Sequence, residues 1–151
     1  MVVKASLIKL KHLLLIPSTL LTLSIGTYSA LAQSKLYNPM ALPPSNEIVD
    51  KLTENDIPTG MGGFARDYLV KLNRGDNVAI DLTSDSFDAM VTLLSTDGAT
   101  ISENDDGPDG TTNALLFTRI ATTGTYVVRV RAFGETGVGN FKLKVSRLRP
   151  A

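Results

Sequence analysis

The chain has 151 residues, 43% of them hydrophobic, with 15 basic and 15 acidic side chains, one histidine and no cysteine. That length suits one domain, and so even a charge balance argues against nucleic acid or bulk membrane as a partner. Without cysteine, disulfides, Cys-His catalysis and thiolate zinc sites are excluded.

The N-terminus has the layout of a secretory signal peptide over residues 1–32. Lys4, Lys9 and Lys11 give a positive start, Leu13 to Ile25 is largely apolar, and Ala30-Leu31-Ala32 supplies the small residues that a signal peptidase accepts. Pro17, Ser18 and Thr19 interrupt the apolar run, which falls short of the roughly 20 residues that a spanning helix needs. No stable membrane insertion is therefore expected after cleavage. Removal of this segment takes away His12 and three lysines, so that acidic side chains outnumber basic ones by three in Gln33 to Ala151. A Ser-His-Asp triad cannot be assembled from what remains. The product is expected to be an exported monomer, periplasmic or extracellular.

Residues 33–60 read as a linker or loosely ordered tether, because Pro39, Pro43, Pro44 and Pro58 interrupt regular structure. A short helix from Glu47 to Leu52 fits within it, with Ile48, Val49 and Leu52 on one face. Thr59 to Gly63 is a glycine-rich lead-in to a domain over residues 61–149.

From Phe64 onward the pattern is that of strands. Tyr68, Val70 and Leu72 alternate with Leu69, Lys71 and Asn73; after the Arg74-Gly75-Asp76-Asn77 turn, Val78, Ile80 and Leu82 alternate with Ala79, Asp81 and Thr83. Period-two alternation places one face inward and the other toward water. Met90 to Leu94 is apolar except for Thr92, as for a strand covered on both sides, and Asp97-Gly98 turns it into a hairpin with Ala99 to Ser102. Ala114 to Ile120 is a further strand. Tyr126, Val128 and Val130 then alternate with Arg129 and Arg131, and a last hairpin is expected to return through Gly134, Gly137 and Gly139 to Phe141, Leu143 and Val145. The prediction is an all-β antiparallel sandwich of about seven or eight strands, jelly-roll-like. Tyr68, Phe117, Tyr126 and Phe141 are placed in its core by the same alternation, and Phe133 beside Gly134 is the aromatic expected at the surface.

An ordered set of segments resembles the bacterial pre-peptidase C-terminal domain, a β-sandwich module found beside secreted proteases and collagenases. The set comprises Asn73-Arg74-Gly75-Asp76 with Val78 to Leu82, Ser86-Phe87-Asp88, Asp97-Gly98, Asn104-Asp105-Asp106, Thr123 to Val130 and Gly139 to Leu143. The resemblance runs from about Phe64 to Val145. It implies a non-catalytic appendage that aids secretion or binds a substrate surface; relatives in collagenases bind collagen and use calcium near the start of the domain.

Two groups of side chains are candidate sites. Asp97, Glu103, Asn104, Asp105, Asp106 and Asp109, with Asp88 at the start of the neighbouring strand, offer oxygen ligands suited to calcium. The competing reading is that Asp, Asn and Gly stand here because they shape turns and accept local backbone hydrogen bonds. The stretch is not an EF-hand, since Gly107 and Leu116 stand where ligands are required. The second group assumes a simple register for the last hairpin. Arg131 then lies near Lys142 and Arg129 near Lys144, a basic stripe that, with Phe133, would contact an anionic protein or polysaccharide surface. Like charges placed opposite each other repel, and the competing reading pairs these cations with Asp67 or Asp81. The sequence thus points to an exported binding module, with a secretion or folding accessory as the alternative. A carboxylate hydrolase using a pair such as Asp88 and Asp106 is a distant third.

Overall fold

The computed structural model describes residues 37–148 apart from Met61, Asp109 and Glu135. The expected signal peptide and its cleavage site lie outside these residues. Ten strands follow in order: β1 (Met40–Ala41), β2 (Glu47–Leu52), β3 (Ile57–Pro58), β4 (Phe64–Leu72), β5 (Asn77–Thr83), β6 (Ala89–Ser95), β7 (Thr100–Asn104), β8 (Ala114–Arg119), β9 (Gly124–Ala132) and β10 (Gly139–Leu148). Among the described residues there is no helix. One sheet runs β1-β4-β9-β6-β7, with β3 also on β4; the other runs β2-β10-β5-β8. The two sheets form a sandwich, all-β as expected. All pairs are antiparallel except β1 with β4.

The core forms where the alternation points. Tyr68, Ile80, Leu82, Val91, Leu93, Val128 and Leu143 are fully enclosed. β6 is buried from Ala89 to Leu94, in keeping with its nearly unbroken apolar run. Phe141 joins the sheets through edge-on contacts with Tyr68 and Phe87, at ring-centroid distances of 6.2 and 6.3 Å, a favoured aromatic geometry. Burial of this kind dominates stability in a chain that has no disulfide to constrain its unfolded state.

Several expectations change. Glu47–Leu52 is a strand, not a helix: Ile48, Asp50 and Leu52 turn inward, Val49 and Lys51 turn out, and all six residues pair with β10. Ile48, Val49 and Leu52 fit a helical face as well as a strand, and only pairing with β10 decides between them. The stretch from residue 37 to 60, expected to be a tether, contributes β1, β2 and β3, and Leu52 is fully buried. Phe117 is 60% exposed instead of buried, because Ala114 and Leu116 take the inward positions of β8 and the next residue must face out.

The expected last hairpin does not form. β9 lies between β4 and β6, so both of its hydrogen-bonding edges are occupied. β10 crosses to the other sheet and inserts between β2 and β5. Gly139 makes that crossing compatible with the neighbouring turn: at φ +140°, an added Cβ would lie 2.2 Å from Ser86 Cβ. The same turn is held by Ser84, whose Oγ donates to Asn140 O at 2.8 Å and accepts from the amides of Ser86 and Phe87.

Candidate interaction site

The acidic stretch serves its own backbone. Asp97 Oδ1 accepts from Ser95 Oγ and from the Ala99 amide, and the Ser95 hydroxyl, then that amide, hold the carboxyl below its ordinary pKa. Asn104 Nδ2 donates to Asp106 O at 2.8 Å and to Leu115 O at 2.9 Å, while the Leu115 amide donates back to Asp106 O. Residues 104–106 are thereby fastened to the start of β8. Glu103 Oε2 lies 3.5 Å from Thr92 Oγ1, and Asp88 O accepts from the Phe133 amide at 2.7 Å. The five residues of β7, at about 3.3 Å each, keep Asp97 well away from Asp105 and Asp106. Among the described residues no group of three or more His, Cys, Asp or Glu side chains is placed to hold a metal ion. Asp109, the remaining member of the expected calcium set, lies outside the described residues. The turn-shaping reading accounts for the contacts that Asp97 and Asn104 make.

The basic stripe is divided between the two outer faces of the sandwich. Arg129 and Arg131 lie on β9 in the six-stranded sheet, Lys142 and Lys144 on β10 in the other. Asp67, buried and directly across from Arg129, takes both arms of its guanidinium at 2.8 Å. That two-pronged hydrogen bond raises the arginine pKa further. Lys142 is opposite Val49 and Thr83 and reaches Glu47 at 2.6 Å; Lys144 is opposite Glu47 and Asp81. The anticipated like-charge neighbours therefore do not meet. Phe133 is 52% exposed, at the surface as expected.

A charged cluster that sequence reasoning missed bridges the sheets. Arg66 on β4 donates to Asp50 on β2 and to Asp56 just beyond it, each at 2.8 Å, and Tyr68 Oη donates to the other Asp50 oxygen at 2.7 Å. Burial pushes the Asp50 carboxyl up, but the Tyr68 hydroxyl, the Lys51 amide and the Arg66 guanidinium outweigh it and leave the pKa below its ordinary value. Burial raises the Tyr68 phenol, and the adjacent Asp50 carboxylate raises it further. These groups are consumed in holding β2 against β4. They offer no free acid or base.

The outer face of the four-stranded sheet is open to solvent. Val49 (73% exposed), Phe117 (60%) and Leu148 (46%) stand on β2, β8 and β10, among Lys142, Lys144 and Arg119. Register places Phe117 opposite Ala79 and Arg119 opposite Asn77, the residue that also faces Leu148. At this end a depression of about 340 Å³ is lined by Arg74, Gly75, Arg119, Ile120 and Ala121, without a carboxylate. A second depression, about 280 Å³ and polar, lies at the opposite end around Ser84, Asp85, Asn113 and Lys142. The signal that could have found Phe117 was the parity of β8, set by Ala114 and Leu116.

Residues 65–132 match the family model described as the bacterial pre-peptidase C-terminal domain. Among solved structures, the pre-peptidase C-terminal domain of a collagenase from Bacillus anthracis superposes with a TM-score of 0.53 at 13% identity, over 72% of this chain and 93% of that one. The periplasmic inhibitor of g-type lysozyme (PliG) from Aeromonas hydrophila gives 0.49 at 12% identity, over 72% and 96% of the two chains. Its counterpart from Salmonella Typhimurium gives 0.40 at 13%, over 72% and 100%. No curated protein matches. At such identities, the likeness to the collagenase domain is one of fold.

Proposed function

We propose that this chain, which carries a bacterial pre-peptidase C-terminal domain over residues 65–132, is an exported, non-catalytic module that binds a protein or polysaccharide surface. Domains of this family are commonly non-catalytic parts of secreted proteases. The observation that carries the reading is the outer face of the four-stranded sheet, where Val49, Phe117 and Leu148 are exposed among cationic side chains. Of these, Phe117 and Leu148 lie toward the same end of the face, across β5 from each other, where an exposed aromatic beside a second apolar side chain offers a contact surface. The polar groups nearest to a reactive constellation, Asp50, Asp56, Arg66 and Tyr68, are bonded to one another.

Export is supported by the N-terminal layout of Lys4, Lys9, Lys11, the apolar run and Ala30-Leu31-Ala32. Among the described residues no helix is long and apolar enough to cross a membrane. The test is recovery of partners from the exported fraction by the immobilised full chain, against a Val49→Ser, Phe117→Ser, Leu148→Ser variant whose melting curve shows it to be folded. Loss of recovery is expected. Equal recovery by the variant would exclude this face, and turnover in a hydrolase screen of the purified chain would overturn the non-catalytic reading.

A further inference from the structure

We infer that the free edge of β8, together with the arginine-lined depression at its end, docks an extended peptide segment that carries apolar and acidic side chains two residues apart, on one face of the added strand. The inference deepens the binding reading above and rests on it. Among the described residues β8 is the terminal strand of its sheet and pairs only with β5. The far side of its first turn of pleat is closed, because the Leu115 amide and carbonyl are both taken by the 104–106 segment. Backbone groups of alternate residues point the same way along a strand. Those of Phe117 and Arg119 therefore face the same open side as Leu115, and among the described residues no further strand pairs with them. Such an edge is a template for an added strand.

The side chains beside this edge define the occupant. Phe117, 60% exposed, offers an apolar surface, and Arg119 follows it on the same face. Arg74 lines the same depression as Arg119. Among the described residues neither arginine belongs to an ion pair, whereas Arg66, Arg129 and Arg147 each have a carboxylate within 3.2 Å. Two unpaired guanidinium groups in a depression without carboxylates favour an anionic partner. A strand added to β8 would alternate its own side chains between the two faces. Residues two apart on it share a face, so an apolar residue that covers Phe117 and a carboxylate two positions from it that meets Arg119 stand together, at the end where Arg74 lines the same depression. An anionic polysaccharide would satisfy the arginines but has no backbone amides and carbonyls to match the edge.

The test titrates the isotopically labelled full chain with an acetylated Thr-Leu-Thr-Glu-Thr-Glu peptide, whose Leu and Glu residues share one face when extended, and follows the backbone amides by NMR. Saturable shifts and slowed exchange at the Phe117 and Arg119 amides are expected. An Arg74→Glu, Arg119→Glu variant, shown folded by its own spectrum, should bind about tenfold more weakly, and a peptide with Lys in place of Glu should not bind. The absence of saturable shifts, or binding untouched by the charge reversal, overturns the inference. Movement of the same amides by polygalacturonate but not by the peptide also overturns it. If the charge-reversed chain recovers the same exported partners as the wild type, this edge is wrong while the broader binding reading stands. Failure of the wild-type chain itself to recover anything removes that broader reading.

Discussion

The Asp50–Arg66–Asp56 cluster and the stretch from Asp97 to Asp106 are both rich in carboxylates, yet they are held by opposite means. In the first, strands from different sheets bring a guanidinium and a phenol against the acids. In the second, Asp97 answers to a serine and an amide within its own turn, and Asp106 contributes its backbone carbonyl to β8. The comparison teaches that crowding of acids along the chain is a poor guide to crowding in space. Acids close in sequence are spread out by the strand between them, and acids far from a cation in sequence are brought to it by the sandwich.

The sharpest way to break this contrast is Arg66→Ala. It leaves Asp50 and Asp56 facing each other without their shared cation, and a loss of about 2–3 kcal/mol is expected in urea unfolding. That value is set below the range for fully buried pairs, since the side chains involved are 12–23% exposed. A loss below about 1 kcal/mol, the scale of a surface pair, would make the two regions energetically alike. Tyr68→Phe removes one hydrogen bond to the same carboxylate and should cost about 1–2 kcal/mol, with the fold unchanged by circular dichroism.

The pH dependence sharpens the contrast further. Asp50 has its folded pKa lowered, so between the folded and unfolded values the unfolded chain binds more protons. Its contribution is fully present above the unfolded carboxyl value near 4 and is lost as pH falls through the lower folded value. Stability measured from pH 6 downward should therefore fall below about pH 4, and Asp50→Asn should flatten that fall.

The smallest effect belongs to the acidic stretch. Asp105→Ala with Asp106→Ala keeps the carbonyl that accepts from Leu115, and a change within about 0.5 kcal/mol is expected. The melting temperature should be the same in excess calcium and in chelator. A calcium-dependent rise would return the stretch to the metal-binding role that its composition invites.

Much of the fold was legible because alternation is a local signal. Tyr68, Val70, Leu72, Val78, Ile80 and Leu82 were placed inward by period alone, and the Asp97-Gly98 turn located the β6–β7 hairpin. Phe117 was misplaced by a single step of parity. The site was less legible. For Arg129 both a stripe with Lys144 and a pairing with Asp67 were readable, and the fold chose Asp67, 62 residues away, because the successive strands β9 and β10 do not pair.

The amino-acid sequence alone determined the class of the molecule: short alternating runs divided by Gly, Asp and Asn can bury their apolar faces only as sheets packed on each other. It also removed thiol chemistry and, beyond His12, histidine chemistry. Tertiary structure alone decided which strands became neighbours, and with that which charges were neutralised and which were left facing solvent. The physical reason is range. Inward or outward orientation follows from the next residue in the chain, but an ion pair or an open sheet edge depends on segments whose order in space no local pattern encodes.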